Sequence, residues 1–395
     1  MKRVLSILFI CALLLSLISG CSQETLGDPP VEPPTEQSVA TPDVPPDNLA
    51  TGEKLSIVCT IFPQYDWVMN ILGEKAGNMD TTLLISSTVD LHSYNPSVSD
   101  IAKISTADIF ICVGGDSDDW VEGAMRQVTN PDMVVINLLD VLGDGAKLEE
   151  IIEGMQHDHE YCEDEDDCDD PEHGHDHGHS HSHSHDHGHD DDCDDDDECD
   201  APDHDHNDDG DEHHHHGEVD EHVWLSLRNA VIFCHTIAEA ITSLDPVNAD
   251  LYLANLNNYI DRLLSLDEEY ATVLDNVPGN TLLFADRFPF RYLVDDFGLN
   301  YYAAFTGCSA ETEASFSTIL FLAGKVDELA LHTVMITESG SQAIAEAVIS
   351  NTAAGNQQIL VLDSMQAVTT TDILDGAAFL SIMESNLLVL KNALS

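Results

Sequence analysis

The apolar residues of this chain change period several times along its length. Leu55–Ile61 is a short apolar run, which predicts a strand, and Tyr65–Leu72 is amphipathic, which predicts a helix. Thr82–Ile85 and Ile109–Val113 read as strands, the second stopped by Gly114-Gly115. Ser99–Ala107 and Trp120–Val128 read as helices, and Val134–Leu138 as a further strand. Helical spacing returns at Val223–Ser243. One long helical pattern then runs from Pro246 to Val277, with Leu253, Leu256, Ile260, Leu263, Tyr270 and Leu274 mostly three or four residues apart. Pro246 suits its first turn and Pro278-Gly279 its end. A second series follows, with strands at Leu282–Ala285, Val334–Thr337 and Ile359–Leu362 and helices at Phe316–Ala330, Ser341–Ser350 and Thr371–Leu394. Strands alternating with helices predict α/β lobes built on parallel sheets. The expected architecture is two lobes, residues 54–245 and 278–395, joined by one helix over 246–277, with a cleft between them. A helix of about 30 residues spans roughly 45 Å. It does not hinge as a loop does, so only modest lobe motion is expected.

Two stretches lie outside this pattern. Lys2 and Arg3 precede an apolar run, Val4–Ile18, that is short for a spanning helix and ends in Ile18-Ser19-Gly20-Cys21. A small residue before a cysteine at that place resembles the lipobox of bacterial lipoproteins. It predicts a leader over 1–20, removed before Cys21, and an acyl anchor on Cys21 that holds the chain to a membrane without spanning it. Residues 21–53 carry seven of the fifteen prolines and little apolar periodicity, and read as an extended tether.

The second stretch changes the picture most. The chain has 74 Asp+Glu against 13 Lys+Arg, a net charge of −61, which disfavours nucleic acid and anionic membrane surfaces as partners and suits a cationic ligand. Thirty of those acids, and no Lys or Arg, fall in 157–221. The same segment holds seventeen histidines. They include His173, His175, His177, His179, His181, His183, His185, His187 and His189 in alternation with Gly, Asp and Ser, and the run His213, His214, His215, His216. Imidazoles at this density suit Zn²⁺, Cu²⁺ or Ni²⁺, and the segment has no means of forming a core. Cys162, Cys168, Cys193 and Cys199 lie within it and allow three disulfide pairings, whereas Cys59, Cys112 and Cys234 sit in apolar runs and read as packed side chains.

A different kind of metal site is expected between the lobes, where ligands favour the carboxyl ends of parallel strands. His92 follows a predicted strand, His222 opens a helix, and Asp286 and Asp363 each stand just past a strand. Together these would give two nitrogens and two oxygens for one divalent ion. Singly, an Asp in such a place more often caps a helix and a His is more often a satisfied polar group.

At these residues the chain resembles a known family, the ZnuA-like (cluster A-I) solute-binding lipoproteins of bacterial ABC importers for zinc and manganese. The likeness covers roughly residues 54–395. It rests on Cys59-Thr60-Ile61-Phe62-Pro63-Gln64-Tyr65-Asp66, on His92-Ser93-Tyr94-Asn95-Pro96-Ser97, on Glu221-His222-Val223-Trp224-Leu225-Ser226, on Val361-Leu362-Asp363-Ser364, and on a His/Asp-rich insert just ahead of the second histidine motif. The resemblance implies His92 and His222 as the first two metal ligands, Asp363 as another, and Zn²⁺ as cargo. It also implies membrane permease subunits as partners of a monomer held outside the membrane on its lipid. One segment departs from the pattern. The family's third ligand, a His or Glu after the first strand of the second lobe, falls in Phe284-Ala285-Asp286-Arg287-Phe288. Counting from the strand puts Asp286 there; counting back from Tyr292 puts Arg287 there, which has no lone pair to give. Asp286 is the favoured ligand, with one extra residue before Tyr292. Arg287 would then pair with an acid such as Glu311 or Glu313, which could alternatively supply a ligand, as could Glu338.

The leading expectation is therefore capture of Zn²⁺ in the cleft and its delivery for import, with the insert gathering, sensing or passing on metal. Opening of the cleft, or protonation of its histidines, would release the ion. A carboxylate in place of a histidine leaves a manganese importer as an alternative. A metal-buffering surface lipoprotein acting through the insert is another. No His-Glu-x-x-His motif or assigned general base favours an enzyme.

Overall fold

The structure is a computed structural model, and it describes residues 54–156, 218–309 and 312–395. The expected leader, Cys21, the tether, the insert with its histidines from His173 to His216 and its four cysteines, and Glu311 lie outside the described residues. The described residues belong to one compact unit.

The first sheet holds β1 (Ser56–Cys59), β2 (Asp80–Leu83), β3 (Ile109–Cys112) and β4 (Val134–Asn137), all parallel, in the order β2-β1-β3-β4. Its helices are α1 (Phe62–Leu72), α2 (Val98–Ser105), α3 (Trp120–Met125) and α4 (Leu138–Leu142). Then come α5 (Leu227–Leu244) and the long α6 (Ala249–Leu274), preceded by a 3₁₀ turn over Pro246–Asn248. The second sheet holds β5 (Thr281–Phe288), β6 (Asn300–Thr306), β7 (Thr333–Thr337) and β8 (Gln358–Leu362), again all parallel, in the order β6-β5-β7-β8. With it go α7 (Arg291–Phe297), α8 (Phe316–Glu328), α9 (Gln342–Ser350), α10 (Thr370–Leu374) and α11 (Phe379–Ala393).

Both sheets share one topology, so each has a switch point: between β1 and β3 in the first lobe, between β5 and β7 in the second. The crevice at the carboxyl ends of those strands is where such sheets bind ligands. Local chemistry sets the helix starts. Ser97, Ser226, Ser315 and Thr369 each accept an N–H of the first turn, and Ser97–Asp100 and Thr369–Asp372 bond reciprocally.

The long helix joins the lobes through a shared core. Its buried positions, Tyr252, Leu256, Tyr259, Ile260, Leu263, Leu266, Tyr270 and Leu274, repeat at helical spacing. The first half docks on α1: Asn255 Nδ2 donates to the Ile71 carbonyl at 3.0 Å and the Tyr259 hydroxyl to Asp66 at 3.1 Å. The second half docks on the other lobe, where the Tyr270 hydroxyl donates to the Met383 carbonyl of α11 at 2.6 Å and its ring stacks on Phe297 of α7. Trp67 of α1 meets both Phe233 of α5 and Phe379 of α11. One continuous apolar cluster thus contains side chains from both lobes. Two smaller clusters cover the outer face of each sheet, so each sheet is buried on both sides. Among the described residues no single helix is long and apolar enough to cross a membrane.

Three differences from the sequence reading matter. β6 was not among the expected strands. The expected helix over Thr371–Leu394 is broken into α10 and α11 where Gly376 takes φ +100°. Finally, the chain on either side of the insert is pinned to the body. Gln156 N–H donates to the Ala304 carbonyl beside β6, and Leu148 pairs with Val219 as an antiparallel bridge.

Asp66 is a buried acid within this core. Burial pushes its pKa up to about 6, against the opposing pull of the Tyr259 hydroxyl, the Phe379 N–H, Arg262 and Asn70. A carboxyl whose folded pKa lies above its unfolded value stabilises fully below the unfolded value, and that contribution is lost as pH rises through the folded one. Asp66→Asn should therefore be more stable than the parent by about 1–3 kcal/mol at pH 8, with the difference gone by roughly pH 3.5. Urea midpoints measured across that range check it.

Candidate metal centre

His92 sits in a 3₁₀ turn, Leu91–Ser93, beyond the carboxyl end of β2, and Asp90 caps that turn by accepting the His92 N–H at 3.0 Å. His222 precedes a second 3₁₀ turn, Val223–Leu225, and is fully buried. Although 130 residues apart, their Nε2 atoms lie 3.3 Å from one another. The other nitrogen of each ring is already engaged. His222 Nδ1 meets Asp220 Oδ1 at 3.0 Å, and His92 Nδ1 bonds the Ser117 hydroxyl, with Glu221 Oε2 3.5 Å away. A Nδ1–H held by an oxygen is the arrangement that orients a metal-binding imidazole and leaves the Nε2 lone pair free. Two nitrogens bound to one tetrahedral Zn²⁺ stand about 3.3–3.4 Å apart, given Zn–N bonds of about 2.0–2.1 Å. The observed pair therefore fits one ion between them.

The surrounding charges suit neutral imidazole at the more open ring. Burial, with the neighbouring His222 adding to it, pulls the His92 pKa down to about 4. Burial also opposes a charged His222, but Asp220 at its Nδ1 and Glu221 nearby outweigh it and hold its pKa above the ordinary value. Burial raises Glu221 to about 6, despite the hydrogen bond it accepts from Ser117 N–H at 2.8 Å. Asp116, Ser117, Glu218, Glu221, His92 and Cys308 line one cavity of about 210 Å³.

The acids expected to complete the site are engaged elsewhere. The pairing of β5 with β6 shifts register between Phe284 and Arg287: three steps on β5 match two on β6, so β5 carries one extra residue. This bulge sends the two candidates apart. Asp286 is buried and its Oδ2 accepts from Thr337 N–H at 2.8 Å and from the Thr337 hydroxyl at 2.6 Å, tying β5 to β7. Arg287 turns to the cleft and pairs with Asp90 of the other lobe at 2.7 Å, not with Glu313. Burial alone would raise the Asp90 pKa; the guanidinium beside it more than offsets this and holds it below the ordinary range. Glu313 is exposed, and its backbone carbonyl accepts from Gln156. Glu338 accepts from Ser364, Gln366 and Ala367 and so shapes the loop after β8. Asp363 accepts the Met365 N–H at 2.7 Å within that loop, and burial next to Glu338 raises its pKa to about 6. The loop in turn accepts from the Trp224 indole through the Ser364 carbonyl, at 2.9 Å. Asp363 and Glu338 thus support the segment carrying His222 from the opposite lobe.

Among the described residues, the ligand atoms that converge within 4.8 Å of one another are those of His92, His222 and Cys308. Asp286 and Asp363 do not join that group. Cys308 is delivered by the end of β6, a strand with no clear alternation in sequence: Thr306 closes it and Gly307 packs on the His222 ring. The available signal was the aromatic run Tyr301-Tyr302 followed by Ala303-Ala304-Phe305, which suits a strand.

Comparison with known proteins gives a consistent result. The family model for the zinc-uptake complex component A, periplasmic (ZnuA), matches residues 57–393. The high-affinity zinc uptake system protein ZnuA of Bacillus subtilis is 26% identical over 343 residues, 87% of this chain and 88% of that protein. The zinc-binding protein AdcA of Streptococcus pyogenes serotype M3 is 24% identical over 87% of this chain, which spans only 56% of that longer relative. In fold, the chain is similar to the Zn(II)-bound ZnuA-like domain of Streptococcus pneumoniae AdcA, with a TM-score of 0.58 at 23% identity over 87% of this chain and 99% of that one. It is equally similar to the metal-dependent lipoprotein YcdH of Bacillus subtilis, with a TM-score of 0.60 at 23% identity over 86% and 99%.

A Cβ at Gly307 would lie 2.9 Å from the Phe288 carbonyl oxygen and 3.0 Å from the His222 ring. Gly307→Ala should push the ring off its place and destabilise the fold by about 1–3 kcal/mol, the usual cost of overpacking. Thermal denaturation of the metal-free protein reads it.

Proposed function

The chain belongs to the ZnuA family of zinc-uptake components, and from that premise we propose that it captures one Zn²⁺ between its lobes outside the cytoplasmic membrane and hands it to an ABC permease. The observation that carries the reading is the facing pair of Nε2 atoms, 3.3 Å apart with both Nδ1 atoms already engaged. Imidazole nitrogens favour zinc over manganese, which prefers oxygen. The manganese alternative rests on Asp286 as a ligand, and in support of the zinc reading the Oδ2 of that carboxylate accepts from Thr337. The protein is a carrier and makes or breaks no bond in its cargo.

The finer parts of the reading rest on sequence. A leader over 1–20 and an acylated Cys21 would hold the protein at the membrane, with 21–53 as tether. The insert would act as an auxiliary arm. Both of its ends leave the body close to the cleft, since Gln156 is held at β6 and Glu218 lines the cavity that contains His92. Many weak imidazole sites on such an arm raise the local Zn²⁺ concentration beside a tight one.

Titration of Zn²⁺ and Mn²⁺ into three soluble forms tests this: the parent, a form with 157–216 replaced by a short Gly/Ser linker, and that form with His92→Ala and His222→Ala. The linker form should keep one tight Zn²⁺ site with weak Mn²⁺ binding, and the double substitution should abolish it. Loss of tight binding on removal of the insert alone would transfer the function to the insert and end the importer reading.

A further inference from the structure

Neither candidate for the third donor joins the two imidazoles: Asp286, the favoured one, accepts from Thr337, and Arg287, which cannot bind a cation, is drawn into an ion pair with Asp90. Two imidazoles alone leave a Zn²⁺ ion short of protein ligands. The end of the neighbouring strand supplies another soft donor. Gly307, bare of side chain, lets the backbone lie against the His222 ring, and the next residue brings its sulfur within 4.8 Å of a ring nitrogen of each histidine. The Cys308 backbone is fixed there, because its N–H donates to Glu149 Oε1 at 2.8 Å. From this geometry we infer that Cys308 is the third protein ligand, so that the site takes its ion as two nitrogens and one thiolate. The inference rests on the zinc-capture reading and deepens it.

A tetrahedral Zn²⁺ with Zn–S of about 2.3 Å sets N and S about 3.5 Å apart, and the three ligand atoms already lie within 4.8 Å of one another. On binding, the S–H bond breaks, its proton leaves to solvent, and the sulfur lone pair forms the Zn–S bond. Before the ion arrives, burial and the carboxylates of Glu149, Glu221 and Asp220 keep the group a thiol, with its pKa far above the ordinary value. A divalent ion reverses that balance, since a coordinating thiol is deprotonated outright. Glu221, whose Oε2 is buried without a hydrogen-bond partner, lies on the same cavity and offsets the remaining positive charge. Cys59, Cys112 and Cys234 differ in being sealed inside apolar clusters. A thiolate in the set selects for Zn²⁺ or Cd²⁺ and against Mn²⁺.

Co²⁺ is the probe for the test, in the full mature chain carrying Ser at Cys162, Cys168, Cys193 and Cys199, so that the insert contributes no thiolate. The first equivalent should raise a near-ultraviolet thiolate-to-cobalt charge-transfer band. Cys308→Ser and His92→Ala should each remove it. Cys308→Ser should weaken Zn²⁺ binding by at least about 10- to 100-fold, the loss that even supporting groups around a metal command. Cys308→His, which restores a donor, should recover the affinity without the band. A tight first ion with no charge-transfer band, or a band that survives Cys308→Ser, overturns the cysteine ligand and leaves zinc capture standing. Absence of any tight site sensitive to His92→Ala overturns both.

Discussion

The packing of one helix against both lobes is the constraint on which the rest depends. The buried face of α6 is continuous from Tyr252 to Leu274, and its two halves belong to different neighbours, α1 on one side and α7 with α11 on the other. Because the core is shared, separating the lobes would expose apolar surface from both. The two switch points are therefore presented to each other at nearly fixed distance. Polar links across the cleft set the final register: Trp224 to Ser364, Tyr292 to the Asp220 carbonyl, and Arg287 to Asp90. Such a frame holds the two imidazoles at metal-binding separation, which limits the ordering that capture of an ion requires.

The acids divide into two roles. The chain as a whole is so negative that it draws cations towards it over long range. Close to the histidines, however, the individual carboxylates mostly hold protein groups. Asp286 ties β5 to β7, Glu338 and Asp363 shape the loop that supports Trp224, and Asp220 orients His222. Each accepts hydrogen bonds from the protein that hold it in a structural role. Arg287 belongs to the same economy, since its charge next to the site is cancelled by Asp90 and serves to hold the lobes together.

Much of this was open to inspection in the sequence. Alternating apolar runs and amphipathic stretches marked seven of the eight strands among the described residues and the long helix, because burial on a sheet or along a helix imposes a local period. His92 and His222 were legible because each lies in a short motif at the end of an element. The strand β6 was not, since a sheet edge rich in tyrosine and small residues carries no clear alternation. Without that strand, Cys308 looked like a loop residue.

Asp286 and Arg287 mark the boundary between the two kinds of information. The fold class, the acidic excess and the candidacy of His92 and His222 could be read along the chain, and the segment Phe284–Tyr292 could be counted two ways. The packed structure adds a bulge in β5 at that place, and a bulge changes which side of the sheet each following side chain faces. That turn of the backbone sends Asp286 to Thr337, Arg287 to Asp90, and leaves the thiol at the end of β6 beside the histidines. Local periodicity follows from short-range burial and can be read along the chain. The convergence of His92, His222 and Cys308, far apart along the chain, exists only once both sheets are packed on the same helix.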